Sequence, residues 1–295
     1  MRLLRRNVSE LRWLSGRDCT LDLNQPCIMG ILNITPDSFS DGGRYLDGEK
    51  AIQQGLAMQQ EGAAILDIGG ESTKPGSLPV SIEEELNRVI PVIEGLRRQT
   101  DLPLSIDTRK SLVAQKAVAA GANFINDISG LNFDPKMAAV AAETGAGLFL
   151  MHSRGRPEVM QQDTEYQDLL AEVISSLRQS IDLALAAGVE RHHLAVDPGI
   201  GFGKSVLGNL ELLHHLDELH QLGCPILQGT SRKSFLGTIL NQTNPQERLF
   251  GTLATIASGV DQGVQIFRVH DVRPAREAAL VAWVIREQKL PEIVQ

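Results

Sequence analysis

Eight short apolar runs recur along the chain, tens of residues apart, and most end in a small cluster of polar residues. In order, the run ends are Asn33, the stretch from Asp67 to Glu71, Asp107, Asn126 with Asp127, His152, Asp197, the stretch from Thr230 to Lys233, and Arg268 to His270. Segments with helical spacing lie between the runs. A strand buried on both faces reads as a continuous apolar run, and strands alternating with helices mark parallel βαβ units. Eight repeats predict an α/β fold, a (β/α)8 barrel. Such barrels gather their active sites at the carboxyl ends of the strands, so the polar tips are candidates for one shared pocket.

The size agrees. At 295 residues and 42% hydrophobic, the chain can fill one barrel core, and 4% aromatic content predicts an aliphatic one. No composition break divides it, so residues 1–25 read as an irregular or hairpin lead-in and residues 26–290 as one barrel domain. A net charge of −8 argues against general nucleic-acid binding. It leaves room for an anionic small substrate, because a few local cations outweigh a diffuse negative surface. The three cysteines, Cys19, Cys27 and Cys224, form no CxxC pair and read as reduced thiols of a cytoplasmic protein. No window of 18 apolar residues suggests a membrane span, and the basic start lacks the apolar centre of a secretory signal.

Local signals place the elements. Strands are predicted at Cys27–Leu32, Ala64–Leu66, Leu102–Ile106, Asn123–Ile125, Gly147–Met151, Leu194–Val196, Pro225–Leu227 and Gln265–Phe267. Helices include 47–61 with Asp47 as N-cap, one opened by Ser81 with Glu84 three residues on, a long one from Tyr166 to Ala187, and a last one over 272–287. Gly62, Gly121, Gly145, Gly188, Gly223 and Gly263 stand where helices should end.

Three tips carry the clearest chemistry. Asp107, Asn126 and Asp197 together offer several acceptors and one amide donor. That set suits a flat heterocycle with N–H and NH2 donors, since a guanidine-like edge matches a carboxylate in two hydrogen bonds. Any one Asp there could instead cap the following helix. Lys233, Arg268 and His270 sit after the last two runs, where barrels often bind phosphate, with Thr230 and Ser231 available to help. The segment from Asp197 to Ser205 imitates a Walker A loop but has Pro198 where the motif needs Gly, and Lys204 fills the third place of a dinucleotide fingerprint. It reads as a flexible wall beside Asp197, with Phe202 lining the pocket. The histidines at 192, 193, 214, 215 and 220 lack metal spacing.

These segments closely resemble the dihydropteroate synthase family. Met29-Gly-Ile-Leu-Asn33 with the Thr35-to-Gly43 loop is similar to its first signature, and Asp67-Ile-Gly-Gly-Glu-Ser-Thr-Lys-Pro-Gly76 to its second. Ser105 to Thr108, Ile125 to Gly130, Leu150 to His152, Asp197 to Gly203, Thr230 to Ser234 and Arg268 to Asp271 follow in the family's order. The resemblance implies a homodimer that joins 6-hydroxymethyl-7,8-dihydropterin diphosphate to 4-aminobenzoate, releasing pyrophosphate and 7,8-dihydropteroate. It implies pterin contacts from Asp107, Asn126, Met151, Asp197, Phe202 and Lys233. It implies diphosphate contacts from Asn33, Thr73, Arg268 and His270, with Mg2+ at Asn33. Asn33, Lys233, Arg268 and His270 would be the catalytic set. Phe39, Asp41, Lys74 and Ser234 would serve the aminobenzoate, with loop one closing over it. Family members often carry Arg at the position of Lys74, and an ammonium loses bidentate recognition of an anion.

No Cys or Ser offers a convincing nucleophile with an adjacent base. The implied chemistry is C–O cleavage with carbocation character, driven by stabilising the departing pyrophosphate. On this reading Arg268 serves the anion alone, and removing it should leave free pterin binding largely intact. Two rivals share the pocket: a pterin-binding methyltransferase barrel, and a paralogue that binds pterin without condensing it. The methyltransferase would need neither the Ser38-to-Gly43 loop nor the Arg268/His270 pair.

Overall fold

The structure, a computed structural model, describes residues 11–34, 43–72, 76–155 and 163–290. Two antiparallel strands, β1 (Trp13–Gly16) and β2 (Cys19–Asp22), open it as a hairpin. Eight parallel strands follow: β3 (Cys27–Asn33), β4 (Ile65–Gly69), β5 (Leu104–Asp107), β6 (Phe124–Asp127), β7 (Gly147–Met151), β8 (Leu194–Asp197), β9 (Leu227–Gln228) and β10 (Ile266–Val269). They pair in the order β8-β7-β6-β5-β4-β3-β10-β9, and a parallel bridge from Val196 to Ile226 closes the ring. Helices lie between consecutive strands: α1 (Gly43–Glu61), α2 (Ile82–Arg97), α3 (Ser111–Ala120), α4 (Met137–Thr144), α5 (Leu169–Ala186), α6 (Val206–His214), α7 (Ser234–Leu240) and α8 (Leu249–Asp261). Helix α9 (Val272–Glu287) ends the described fold. This is the predicted barrel.

Strand alternation divides the core in two. Leu66, Ile68, Ile106, Ile125, Leu148, Leu150 and Val196 point outward into the large aliphatic layer under the helices. Cys27, Met29, Ile65, Phe124, Phe149, Ala195, Leu227 and Ile266 point inward and fill the lower barrel. The hairpin plugs that end: Leu14, Leu21 and Leu23 join the inner cluster. Arg17 N donates to Asn123 O (3.0 Å), and Asn123 Nδ2 donates to Arg17 O (2.7 Å). The amino end is thus sealed, which leaves the carboxyl end as the open mouth.

Boundaries moved for local reasons. Helix α1 begins at Gly43, so Asp47 lies inside it rather than at its cap. Helix α5 begins at Leu169, because Asp168 Oδ1 accepts from Ala171 N (3.0 Å) and ends the preceding loop. Strand β5 starts after Pro103, which has no N–H for a ladder, and runs on to Asp107. Ser81 caps α2 as expected, its Oγ accepting from Glu84 N (3.1 Å). All six helix-ending glycines have positive φ, from 65° at Gly223 to 121° at Gly121, a region that costs other residues a Cβ clash.

Candidate active site

The site is the interior alternation carried one step further. Two residues beyond each apolar inner residue the next inward position falls at the mouth: Phe124 leads to Asn126, Phe149 to Met151, Ala195 to Asp197, and Ile266 to Arg268. On β4 the sequence Ile65, Asp67, Gly69 puts a carboxylate one layer down and no side chain above it. On β5, Ser105 leads to Asp107, the register partner of both Gly69 and Asn126. A Cβ built on Gly69 would lie 3.5 Å from Asp107 Cβ and 3.6 Å from Asn33 Oδ1. Asn33, at the end of β3, therefore flanks the same opening.

An ionic chain crosses this mouth. Arg268 Nε donates to Asp67 Oδ2 (2.6 Å), and Arg268 Nη2 donates to Asp107 Oδ2 (2.7 Å). Asp67 Oδ2 also accepts from Asn126 Nδ2 (2.9 Å). Oδ1 of Asp67 and Oδ1 of Asp107 are buried without a hydrogen-bond partner among the described residues. Burial pushes Asp107 up to about 7, against the pull of Arg268 and with a further push from Asp67. Sequence reasoning assigned Arg268 and Asp107 to different subsites; the structure pairs them across one mouth.

Asp197 stands across the barrel. Its Oδ1 accepts from Gly199 N (2.7 Å), and burial raises it to about 6, opposed by that bond and by Lys233, Lys204 and Arg268. Lys233 places its Nζ 3.8 Å from the centre of the Phe202 ring, a cation–π contact, while Phe202 packs with Met151 and Ile128. Burial, then the Arg268 charge, lowers the Lys233 ammonium to about 8.

The segment after Asp197 is not the flexible wall expected. Lys204 is buried, and its ammonium donates to the carbonyls of Gly199 and Phe202 (2.9 Å each) and lies 3.0 Å from His152 Nδ1. Asn209 Oδ1 accepts from Gly201 N (2.6 Å). Residues 199–203 are therefore folded around one buried amine, which burial lowers to about 7 and which holds Phe202 in place. His152, held near 3 by burial and the Lys204 charge, is a neutral acceptor to that lysine. Sequence reasoning used Lys204 only to reject a motif.

His270 follows β10. Its backbone N donates to Ser231 Oγ (3.1 Å), and the same oxygen lies 3.0 Å from His270 Nδ1. A hydroxyl that accepts from the backbone can donate to Nδ1, which leaves Nε2–H as a donor for the mouth. Burial, then Arg232 and Arg268, lower His270 to about 3, so it is a neutral donor in the free site rather than a second cation. Arg232 grips Asp271 with a two-point fork (3.0 and 2.6 Å), fastening the loop after β9 to the end of β10. Thr230 turns away, its Oγ1 2.8 Å from Thr255 Oγ1 in α8.

The structure thus gathers Asn33, Asp107, Asn126, Met151, Asp197, Phe202, Lys233, Arg268 and His270 at one mouth. Ser234 is the exposed first residue of α7. Phe39, Asp41, Thr73 and Lys74 lie outside the described residues. Asp67 was noted in a polar tip but given no role; its signal was an acidic residue in phase with the inward apolar positions of its strand. Among the described residues, no three His, Cys, Asp or Glu side chains gather as a metal cage, and no helix is long and apolar enough to cross a membrane.

Comparison with known proteins settles the family. The pterin-binding enzyme family matches over residues 29–270. The chain belongs to that family. A dihydropteroate synthase from Synechocystis sp. is 49% identical over 255 residues, covering 86% of this chain and 88% of the relative. A Yersinia pestis dihydropteroate synthase in a sulfonamide drug complex superposes with a TM-score of 0.88 at 45% identity, covering 93% of this chain and 99% of the other. The Xanthomonas albilineans enzyme with 4-aminobenzoic acid gives 0.89 at 43% identity, covering 95% and 100%.

Proposed function

We propose that the protein condenses 6-hydroxymethyl-7,8-dihydropterin diphosphate with 4-aminobenzoate in folate biosynthesis, forming 7,8-dihydropteroate and pyrophosphate. The observation that carries this reading is an acceptor-rich set, Asp107, Asn126 and Asp197, sharing one mouth with the cations Arg268 and Lys233. The kinship with dihydropteroate synthases supports it.

In this reading the two carboxylates and the Asn126 amide take the N–H edge of the pterin. Met151, Phe202 and the Lys233 stem form the wall against its ring. Arg268 and the Nε2–H of His270 face the diphosphate, with Thr73. The methylene C–O bond breaks with its electron pair leaving on pyrophosphate, and positive charge at the methylene spreads into the electron-rich dihydropterin. Donors aimed at the departing oxygens stabilise them as charge develops. The arylamine nitrogen then bonds to the methylene and gives up its proton. Phe39, Asp41, Lys74 and Ser234 serve the aminobenzoate, and closure of loop one keeps water from the cation.

Mg2+ fits the residues present: Asn33 supplies a hard oxygen donor at the mouth, and this ion commonly takes few protein ligands beside phosphate oxygens and water. When bound it would supply charge neutralisation on the diphosphate. A cytoplasmic location suits three free thiols, two of them buried. A homodimer is supported by apolar side chains exposed on two packed helices, Phe250 of α8 and Val281 and Ile285 of α9.

The test is direct. Purified protein, Mg2+, the dihydropterin diphosphate and labelled 4-aminobenzoate should yield labelled dihydropteroate and one pyrophosphate per turnover. Pterin binding without product would leave the non-condensing paralogue as the reading, and light scattering at micromolar protein should give twice the chain mass.

A further inference from the structure

Asp67 lies on the floor of the mouth, fully buried, one inward layer below Gly69. It does not reach the mouth, yet one of its oxygens holds two residues that do. Oδ2 accepts from Asn126 Nδ2 at 2.9 Å and from Arg268 Nε at 2.6 Å. An ionised carboxylate can only accept, so it fixes the Asn126 amide with nitrogen inward and Oδ1 turned away. The other end of the guanidinium behaves differently. Arg268 Nη2 donates to Asp107 Oδ2 at 2.7 Å, and Asp107 is an acceptor for which the pterin competes with the guanidinium.

A two-point donor edge needs both oxygens of a carboxylate. Asp107 Oδ1 has no partner among the described residues, while Oδ2 is occupied by Arg268. Docking of such an edge on Asp107 brings a second donor onto Oδ2 and weakens the hold of Nη2 there, since the two donors then share that oxygen's lone pairs. The guanidinium is not lost from the site, because Nε stays on Asp67.

We propose that Asp67 is a positioning residue, the pivot on which Arg268 turns from Asp107 toward the departing diphosphate once the pterin has docked. This rests on the function proposed above. Pterin occupancy then frees a cationic fork for the anion, and the two subsites are positively coupled through Asp67. Coupling of this kind is a free energy shared between sites and is reciprocal.

The experiment titrates pyrophosphate with Mg2+ into the full chain by calorimetry, with and without saturating 6-hydroxymethylpterin. In the native protein the pterin should tighten pyrophosphate binding by about 5–10-fold, the lower range of such couplings. In Asp67→Asn, isosteric but uncharged, that ratio should fall to near one. Its kcat should drop by about 10–100-fold while the KM for 4-aminobenzoate stays within about twofold, the pattern of an interaction made in the transition state. A merely structural role would lower both affinities together and leave their ratio alone. Should Asp67→Asn not fold, Arg268→Lys decides: one ammonium keeps charge for the anion but cannot bridge two carboxylates, so the ratio should again approach one. Native turnover with an unchanged ratio in the folded variants overturns the pivot alone. So does a native ratio of one. A native protein that neither binds pterin nor condenses it overturns the functional reading as well.

Discussion

Arg268 reaches across the barrel from β10 to Asp107 on β5, Nη2 to Oδ2 at 2.7 Å, and so ties the cation suited to an anion to a carboxylate suited to a heterocycle. Removing Arg268 should therefore affect both ligands. Arg268 is the largest influence holding Asp107 down against burial, so its loss raises Asp107 above about 7. In Arg268→Ala, pyrophosphate affinity should fall by about tenfold or more, as for loss of a charged hydrogen-bonding partner. Pterin affinity should fall at neutral pH and recover as pH rises. A pterin-binding pH profile that overlays the native one would refute the link.

Asp197 is the carboxylate of this mouth that Arg268 does not bridge, and its Oδ1 is already engaged by Gly199 N. Asp197→Ala should cost about 2–4 kcal/mol of pterin affinity, because bound N–H donors lose a charged acceptor. Near-native affinity by calorimetry would remove Asp197 from the pterin set.

The pH dependence of kcat/KM for the pterin diphosphate should be bell-shaped. Asp197 and Asp107 are raised to about 6 and about 7 by burial, so acceptors are lost as pH falls through that window. Lys233 is lowered to about 8 by burial and by Arg268, so a cation is lost as pH rises past it. In Lys233→Met the alkaline limb should flatten while the acid limb persists. A native alkaline limb retained in that variant would assign it to another group.

Lys204 organises the loop that carries Phe202. Lys204→Met should strand the carbonyl of Phe202 and leave that of Gly199 only its bond from Phe202 N, at about 1–3 kcal/mol for a buried polar group left unsatisfied. Thermal unfolding should register the loss, and pterin affinity should fall with it because Phe202 is released. A variant that unfolds earlier but binds pterin normally would show that Phe202 is placed by other contacts.

Most of the barrel was legible in the chain. Gly147–Met151 and 272–287 were read at their true limits, since a continuous apolar run and an amphipathic period report their own elements directly. Boundaries set by one polar side chain were harder. Asp168, not the apolar period, starts α5. The acceptor tips Asp107, Asn126 and Asp197 were legible because each follows its apolar run. Asp67 was visible in a tip but received no role, because its importance lies in partners 59 and 201 positions away, Asn126 and Arg268.

The sequence by itself determined the number of barrel strands, the end of the barrel that carries chemistry and the kinds of side chain brought there. Those follow from period-two alternation and burial, which act within a few residues of chain. The tertiary structure alone decided which charge meets which. It paired Arg268 with Asp67 and Asp107, left His270 a neutral ring that accepts from Ser231, and turned Lys204 into the pin of a loop. Such choices depend on distances of about 3 Å between residues remote in sequence and on the cost of burying charge, which no local pattern records.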